Sequence, residues 1–247
     1  MNPQRLDLSY RIAWQGRWHV GSGYQSATAD RHQRRWGGDG RPFVPGSQIK
    51  GVLRHQCERL AVALNLDTVD PHAGTKERGL RLTQHFQPLA KSSLLIDRLF
   101  GTRYQGECLF VTNALPLDSD RCSETAIAAR TAIDRVTGTV MERHLFTTEL
   151  ADGEIDLRGQ IRARHAAGVL TQDDDDFPYE YSLLTAGLLS LDTFGGDKSV
   201  GMGRCKMSIE PESLRWNDRE MALPAALKSF EDPDWADMIG LLREDRS

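Results

Sequence analysis

Cysteine is scarce in this sequence, and no two cysteines lie close together. The 247 residues include four of them without a Cys-x-x-Cys pair, at Cys57, Cys108, Cys122 and Cys205. A chain of this size rarely needs a disulfide framework, and the usual ligand spacing of a zinc site is missing. We therefore expect free cysteines, with a zinc site that includes His72 and His85 as the alternative.

Long apolar runs are also missing. No stretch approaches the roughly 18 apolar residues that cross a membrane, and residues 1–10 lack the apolar segment of a secretory signal. These absences predict a cytoplasmic protein without a membrane partner. The apolar content of 39% is sufficient for the core of one large domain, or of one domain with insertions.

The net charge of −4 argues against nucleic acid as a partner, but the charge is unevenly distributed. Residues 1–110 contain 16 Lys and Arg against 9 Asp and Glu, whereas residues 111–247 contain 15 against 26. We expect the basic half to bind a polyanion. The acidic half, which includes the aspartate run 173–176, is typical of a solvated surface or of a face for basic partners.

Hydrophobic patterning predicts the secondary structure. It favours strands over residues 6–14, 109–115, 155–163 and 205–209, the last of these being the final strand. Apolar residues at helical spacing favour helices over 48–66 and 177–194. We also expect a short helix over 92–100, irregular or helical structure over 125–134, and a hairpin over 140–150.

The order strand, helix, strand, strand, helix, strand is that of a ferredoxin-like α+β fold, whose sheet is also the platform of the common single-stranded RNA-binding (RRM-like) module. We expect this core at residues 1–210, with an inserted loop at about 67–91. Residues 211–247 form an acidic C-terminal extension in this interpretation, with Trp216 and Trp235 as candidate anchors. Because one fold hosts many functions, the loops have to indicate the function.

Residues 195–204 form a loop with four glycines, Lys198 and Arg204 between the second helix and the last strand. Glycine lets the backbone approach a ligand, consecutive N–H groups can hold phosphate oxygens, and cations add charge. The alternative is a flexible turn. The residue order is neither that of a Walker loop nor that of a dinucleotide fingerprint.

Residues 42–51 form a second glycine-bearing turn, which leads into the first helix. Ser47 suits the N-cap position, and a helix N-terminus attracts anions. Lys50 and Arg54 lie one turn apart and can reach the same polyanion. The alternative is a capped helix with solvated basic residues.

Together these motifs resemble the RAMP superfamily of CRISPR proteins, which are ferredoxin-like and bind guide RNA through such loops. Two further segments resemble family elements: Leu-Phe-Gly-Thr at 99–102, and Ile-Asp-Arg-Val-Thr-Gly-Thr at 133–139, which is similar to the segment that opens the thumb hairpin. The four motifs in this order resemble the multi-copy backbone subunit of type III effector complexes, which also cleaves target RNA. The resemblance implies a thumb-like β-hairpin at about 140–153. It also implies as partners guide RNA, complementary target RNA, further copies or paralogues, the large cyclase-type subunit and the small subunit.

The resemblance further implies roles for individual residues. An aspartate in the loop before Pro-Gly-Ser assists the attack of a 2′-OH on the target phosphate. The spacing indicates Asp30, with Asp39 as the rival and a loop-structuring carboxylate as the alternative. This carboxylate can act as a base or hold a divalent metal such as Mg²⁺, and no organic cofactor is implied. The thumb residues expected to push between nucleotides are Met141, Leu145 and Phe146, for which core packing is the alternative. RNA binding is expected from Arg31, Arg34, Arg35, Ser47, Lys50, Arg54, Arg135, Gly195, Gly196, Lys198, Ser199, Gly201, Gly203 and Arg204.

Two other functions remain open at this point. One is a structural subunit that holds guide RNA without catalysis. The other is a guide-processing endoribonuclease of the same superfamily, which would need a histidine base, for which His144 and His165 are the candidates.

Overall fold

The computed structural model describes residues 4–37, 40–64, 66, 95–101, 106–117, 125–151, 155–165 and 177–231. The strands are β1 (Gln4–Trp14), β2 (Leu109–Val111), β3 (Leu115–Pro116), β4 (Thr125–Ile133), β5 (Val140–Ala151), β6 (Asp156–His165), β7 (Cys205–Ile209), β8 (Arg215–Trp216) and β9 (Arg219–Glu220). The helices are α1 (Gly46–Ala63), α2 (Leu95–Phe100), α3 (Tyr179–Leu189) and α4 (Leu223–Leu227).

An antiparallel sheet is built around β1. Strand β6 pairs with one edge of β1 over ten residues, and β2 and β3 pair with the far edge of β6. The other edge of β1 is shared by β7, opposite residues 10–14, and by β8, opposite Leu6 and Asp7. The core strands therefore lie in the order β2, β6, β1, β7.

The helices cover one face of this sheet. Alternation along β1 buries one set of side chains, namely Leu6, Leu8, Tyr10, Ile12 and Trp14, because successive strand residues point to opposite faces. Helices α1 and α3 pack on this layer and on each other. A Cβ on Gly187 of α3 would lie 2.5 Å from the Cys57 Sγ of α1, so this close approach requires glycine. Burial of each large apolar side chain contributes about 1.5–3 kcal/mol to stability.

The start of α1 differs from the expectation. The helix begins at Gly46, Pro45 is its N-cap, and no side-chain hydrogen bond caps it, so the prediction of Ser47 as N-cap is wrong. The Gly46 N–H donates to Asn113 Oδ1 at 2.9 Å. A Cβ at position 46 would lie 2.2 Å from the Val111 carbonyl oxygen, so the glycine starts the helix against the sheet edge.

The largest correction concerns residues 125–151. Residues 125–134 were expected to be irregular or helical, but they contain strand β4. Residues 140–150 were expected to be a complete hairpin, but they belong to the single strand β5. The two strands pair with each other from Thr125↔Ala151 to Ile133↔Val140. Alternating Ala and β-branched residues in β4 favour a strand, and this signal was outweighed by the helix propensity of alanine. The two-stranded unit formed by β4 and β5, with the turn 134–139, is called the thumb hairpin below.

Smaller differences complete the comparison. The strand expected at 109–115 is divided into β2 and β3, and the segment expected as the final strand is followed by β8 and β9. Residues 211–231 therefore belong to the same sheet and core rather than to a separate extension: Trp216 is 4% exposed and packs edge-on against Tyr181.

The insertion 67–91, the aspartate run 173–176 and Trp235 lie outside the described residues. Within the described chain, no helix has the length and apolarity needed to cross a membrane.

Candidate functional site

The glycine-rich loop is held against the segment that follows β1. The N–H groups of Gly196 and Gly203 donate to the carbonyl oxygens of His19 and Arg17, both at 2.9 Å. Gly195 and Gly203 have φ of 86° and 74°, and a Cβ would lie 2.1 Å from the His19 oxygen and 1.9 Å from the Phe194 oxygen, respectively. These glycines are thus required by close packing inside the protein.

The loop does not present the expected row of free N–H groups. Those of residues 200, 201 and 202 also donate to carbonyl oxygens within the loop. A 3₁₀ turn, Lys198–Val200, instead carries Lys198 and Ser199 into solvent. Arg204 is exposed beside them and, among the described residues, forms no ion pair. Side-chain cations rather than a backbone cradle are what this loop offers to a phosphate.

Asp197 connects this loop with two other segments. It adopts a left-handed conformation, with φ of 59°, and its carboxylate forms ion pairs with Arg130 of β4 at 2.9 Å and with Arg31 at 3.6 Å. The Arg31 guanidinium also lies 4.7 Å from the centre of the Phe146 ring, a cation–π contact. The glycine-rich loop, the thumb hairpin and the loop that contains Asp30 therefore meet at one place.

Asp30 is exposed at the base of the thumb hairpin. Its Oδ2 accepts hydrogen bonds from the Thr147 N–H at 2.7 Å and from the Thr147 hydroxyl at 3.0 Å. These bonds hold the pKa of Asp30 below its usual value, and the carboxylate is ionised. The residue as a whole is exposed, so the Asp30 carboxylate is accessible from solvent.

Glu149 organises the loop behind Asp30. Its carboxylate accepts hydrogen bonds from the His32 ring at 3.1 Å, from the Gln33 N–H at 3.1 Å and from Arg35. Burial alone would raise the pKa of Glu149, but these hydrogen bonds and the Arg35 charge outweigh it and lower the pKa to about 2. Sequence reasoning missed Glu149, because nothing in the sequence indicates which of many carboxylates faces the loop.

These contacts change the expected roles of the loop arginines. Arg35 also donates to Thr125 Oγ1 and to the Gly40 carbonyl oxygen, both at 2.7 Å, so it holds the loop together. The Arg34 residue is half-buried, and its backbone N–H donates to the Val20 carbonyl oxygen at 2.6 Å. Of the three arginines at positions 31, 34 and 35, Arg31 is the one that lies at the surface shared by Asp30 and the glycine-rich loop.

The far end of the thumb hairpin is apolar and exposed. The segment 133–139 forms its tip rather than its opening: the Gly138 N–H donates to the Asp134 carbonyl oxygen at 2.8 Å. Val136, at the tip, is 93% exposed, and Leu145 is 68% exposed. Ile133, Val140 and Met141 are also exposed at this end, and Arg135 is exposed within the turn. Ile127 is exposed too, but it lies opposite Glu149 at the base of the hairpin.

The three expected wedge residues therefore separate. Leu145 and Met141 are exposed on the outer part of the thumb hairpin, whereas Phe146 is half-buried at its base under Arg31. Sequence reasoning missed Ile133, Val136 and Val140. The sequence did contain an indication of these residues: they are apolar and lie within or beside an Asp-x-x-x-Gly turn, where an exposed turn normally carries polar residues.

The beginning of α1 offers fewer free charges than expected. Lys50 forms an ion pair with Glu107 at 2.7 Å, and Arg54 pairs with Glu58 at 2.9 Å and donates to the Gly101 oxygen. Ser47 is exposed. The structure places these residues on the side of α1 that faces residues 101 and 107.

The remaining candidates are distributed as follows. Asp39, His72 and His85 lie outside the described residues, as does the side chain of His165. The His144 ring bonds to the Glu142 carbonyl oxygen of its own strand at 2.8 Å. The described ranges contain no group of three or more His, Cys, Asp or Glu arranged to hold a metal ion.

The sequence matches the RAMP superfamily over residues 15–206, well over half of the chain. This range includes Asp30, the thumb hairpin and the glycine-rich loop. A search among curated proteins found no significant match.

Proposed function

Because this chain belongs to the RAMP superfamily, a group of CRISPR-associated RNA-binding proteins that assemble with other Cas proteins, we propose that it is the guide-binding backbone subunit of a type III effector complex. The strand order β2, β6, β1, β7 with helices on one face supports a ferredoxin-like core. The observation that carries the proposal is the meeting of three segments: the base of the thumb hairpin, the Asp30 loop and the glycine-rich loop, which are joined through Thr147 and Asp197.

In this proposal Lys198 and Arg204 contact guide phosphates as exposed cations. The apolar outer part of the thumb hairpin, with Val136 and Leu145, inserts between nucleotides of the guide–target duplex. Insertion unstacks a base at a cost of a few kcal/mol, which the burial of these exposed apolar side chains offsets.

The proposed reaction is cleavage of the target strand next to the displaced nucleotide. The 2′-OH attacks the adjacent phosphorus, a 2′,3′-cyclic phosphate forms, and the bond from phosphorus to the 5′ oxygen breaks. The 2′ proton passes to solvent water at this exposed site, and water delivers a proton to the leaving 5′ oxygen. The thumb hairpin supplies the in-line geometry. Asp30, bonded to Thr147 of that hairpin, orients the 2′-OH through its exposed carboxylate and accepts the proton only weakly, because its pKa is lowered.

A divalent metal ion fits this site only if the protein and the RNA share its coordination. Asp30 supplies one carboxylate oxygen, and Mg²⁺ is commonly held by one or two carboxylates together with substrate phosphates. Such an ion would stabilise charge on the phosphate.

The test is target cleavage by the assembled complex. Asp30→Asn keeps an oxygen that can accept the Thr147 hydrogen bonds and removes only the charge, so we expect normal guide content and a cleavage rate reduced at least about a hundredfold. Glu142→Gln, an exposed carboxylate of β5, is the matched control. Full activity of Asp30→Asn, with loss of activity in Asp39→Asn, would transfer the role to Asp39.

A non-catalytic backbone subunit is the second candidate. Its support is that Asp30 is bonded to Thr147 through Oδ2, which is also what a loop-structuring carboxylate would do. If the wild-type complex leaves target RNA intact in the presence of divalent metal, this candidate replaces the first.

A further inference from the structure

The sheet face opposite the helices is basic. Directly opposed residues of antiparallel strands share a face, and in β1 the residues of this face are Arg5, Asp7, Ser9 and Arg11, with β6 and β7 contributing their opposed partners. Strands β1, β6 and β7 contribute six cations to this face, which is called the open sheet face below: Arg5, Arg11, Arg158, Arg162, Arg164 and Lys206. The side chains of Arg11, Arg158 and Arg162 are 46%, 49% and 53% exposed, so no described segment covers them.

The cations exceed the carboxylates available to pair with them. Asp7 pairs with both Arg5 and Arg162, Asp156 pairs with Arg11, and Glu210 pairs with Arg158. Arg164 and Lys206 have no ion-pair partner among the described residues, and both are exposed. Such an excess is complementary to a polyanion.

Two aromatic side chains border the open sheet face. Phe110 of β2 is 64% exposed and lies directly opposite Arg162. Trp36 is 39% exposed and is held by an edge-on contact with Phe43 at 5.3 Å. An exposed aromatic ring beside a guanidinium is what unpaired bases stack on, because every base has a π-face.

An open cavity lies where the open sheet face meets Trp36. Its volume is about 480 Å³, and it is lined by Trp36, Thr112, Asn113, Leu115, Arg158 and Gln160. Trp36 follows Arg35, which is bonded to Glu149 at the base of the thumb hairpin. The amide and guanidinium groups of the cavity offer hydrogen bonds to the edges of a base.

We propose that the open sheet face binds single-stranded RNA, with Phe110 and Trp36 as stacking positions and the six cations along the backbone. This RNA is a different segment from the guide assigned to the glycine-rich loop. The inference goes beyond the proposed function, and it stands if the guide proves to bind elsewhere.

The test uses the full chain and a fluorescein-labelled, unstructured single-stranded RNA, with affinity measured by anisotropy over a range of salt concentrations. Phe110→Leu keeps the apolar side chain and removes the ring, and we expect affinity to fall about tenfold, the effect of one lost stacked base. Arg164→Ala should reduce the slope of log affinity against log salt by about 0.7. The matched controls Val62→Ala and Arg59→Ala, exposed on α1, should behave as the wild type.

The same variants in a Lys198→Ala/Arg204→Ala background separate the two surfaces. If Phe110→Leu removes the residual binding of that background, the open sheet face binds RNA independently of the loop. If the loop variant alone abolishes binding, and Phe110→Leu and Arg164→Ala bind as the wild type, the proposal is overturned and the guide site stands. The proposal is also overturned if these two variants change only self-association in light scattering, because the face then contacts another copy of the chain.

Discussion

At the scale of single residues, two carboxylates at the base of the thumb hairpin have different environments. Asp30 is exposed and bonded through one oxygen to Thr147, whereas the Glu149 side chain is 12% exposed and accepts hydrogen bonds from three residues. Exposure leaves Asp30 able to contact a ligand. Enclosure makes Glu149 a structural group that holds the loop from residue 32 to residue 35.

Glu149 therefore predicts a pH dependence of stability. Its pKa is lowered from 4.5 to about 2 in the folded protein, so its contribution is fully present above the unfolded pKa and is lost as the pH falls from about 4.5 to about 2. We expect Glu149→Gln to lower the free energy of unfolding by on the order of 2 kcal/mol near neutral pH, allowing for solvent screening at Arg35. Near pH 2 the difference from the wild type should vanish.

Urea denaturation at a series of pH values measures this difference. Glu142→Gln, on the exposed part of β5, serves as the control and should match the wild type throughout. An unfolding free-energy difference that stayed constant from neutral to acid pH would mean that Glu149 acts by packing and not by charge.

At the scale of elements, the glycine-rich loop is a packed connection rather than a flexible turn. Gly203 and Gly201 both have positive φ, 74° and 83°, but they differ in their surroundings. A Cβ on Gly203 would lie 1.9 Å from the Phe194 oxygen, whereas a Cβ on Gly201 would meet nothing within 4 Å. Substitutions at the two glycines therefore distinguish the energetic effect of a left-handed backbone, present at both, from that of close packing, present at Gly203.

We expect Gly201→Ala to cost about 1 kcal/mol of stability, the price of a left-handed alanine. Gly203→Ala adds a contact with backbone that has to move, and we expect a loss on the order of 3 kcal/mol. Thermal and urea unfolding of both variants measure the difference. Equal losses would show that the Phe194 carbonyl moves aside at little cost.

The sequence indicated most of these elements but not how they join. Strand β1 and helices α1 and α3 were predictable because their apolar periodicity is long and regular. The thumb hairpin was not, because β4 is rich in alanine and its partner lies beyond a six-residue turn. Of the site, Asp30 and the exposed cations of the loop were found as candidates from motif resemblance, whereas Thr147, Glu149 and Arg130 emerge only when the chain is folded.

At the scale of the whole molecule, the basic side chains are of two kinds, those that already have an ion-pair partner and those that do not. Lys50 and Arg54, at the start of α1, are paired with Glu107 and Glu58. Lys198 and Arg204 are exposed, without an ion-pair partner among the described residues. A cation that already has a partner releases fewer counterions when RNA binds, since its charge is partly neutralised.

Guide binding should therefore depend unequally on these residues. We expect Lys198→Ala/Arg204→Ala to reduce the slope of log affinity against log salt by about 1.4, or about 0.7 for each phosphate contact. Lys50→Ala/Arg54→Ala removes the same charge and should change the slope less. Filter binding of guide RNA at several salt concentrations compares the two, and equal slopes would contradict the role assigned to ion pairing.

The ion pairs that Asp197 forms with Arg31 and Arg130 affect which anionic ligands can reach these two cations. The Asp197 carboxylate is a tethered anion next to Arg31 and Arg130, and in the proposed function an RNA phosphate would compete with it for these two cations. A tethered group competes at a high effective concentration, so short oligonucleotides and free phosphate are poor rivals for it. A long strand that is already anchored at other points raises its own local concentration and can replace Asp197. If RNA binds here as proposed, we expect these ion pairs to discriminate by ligand length without reading any base.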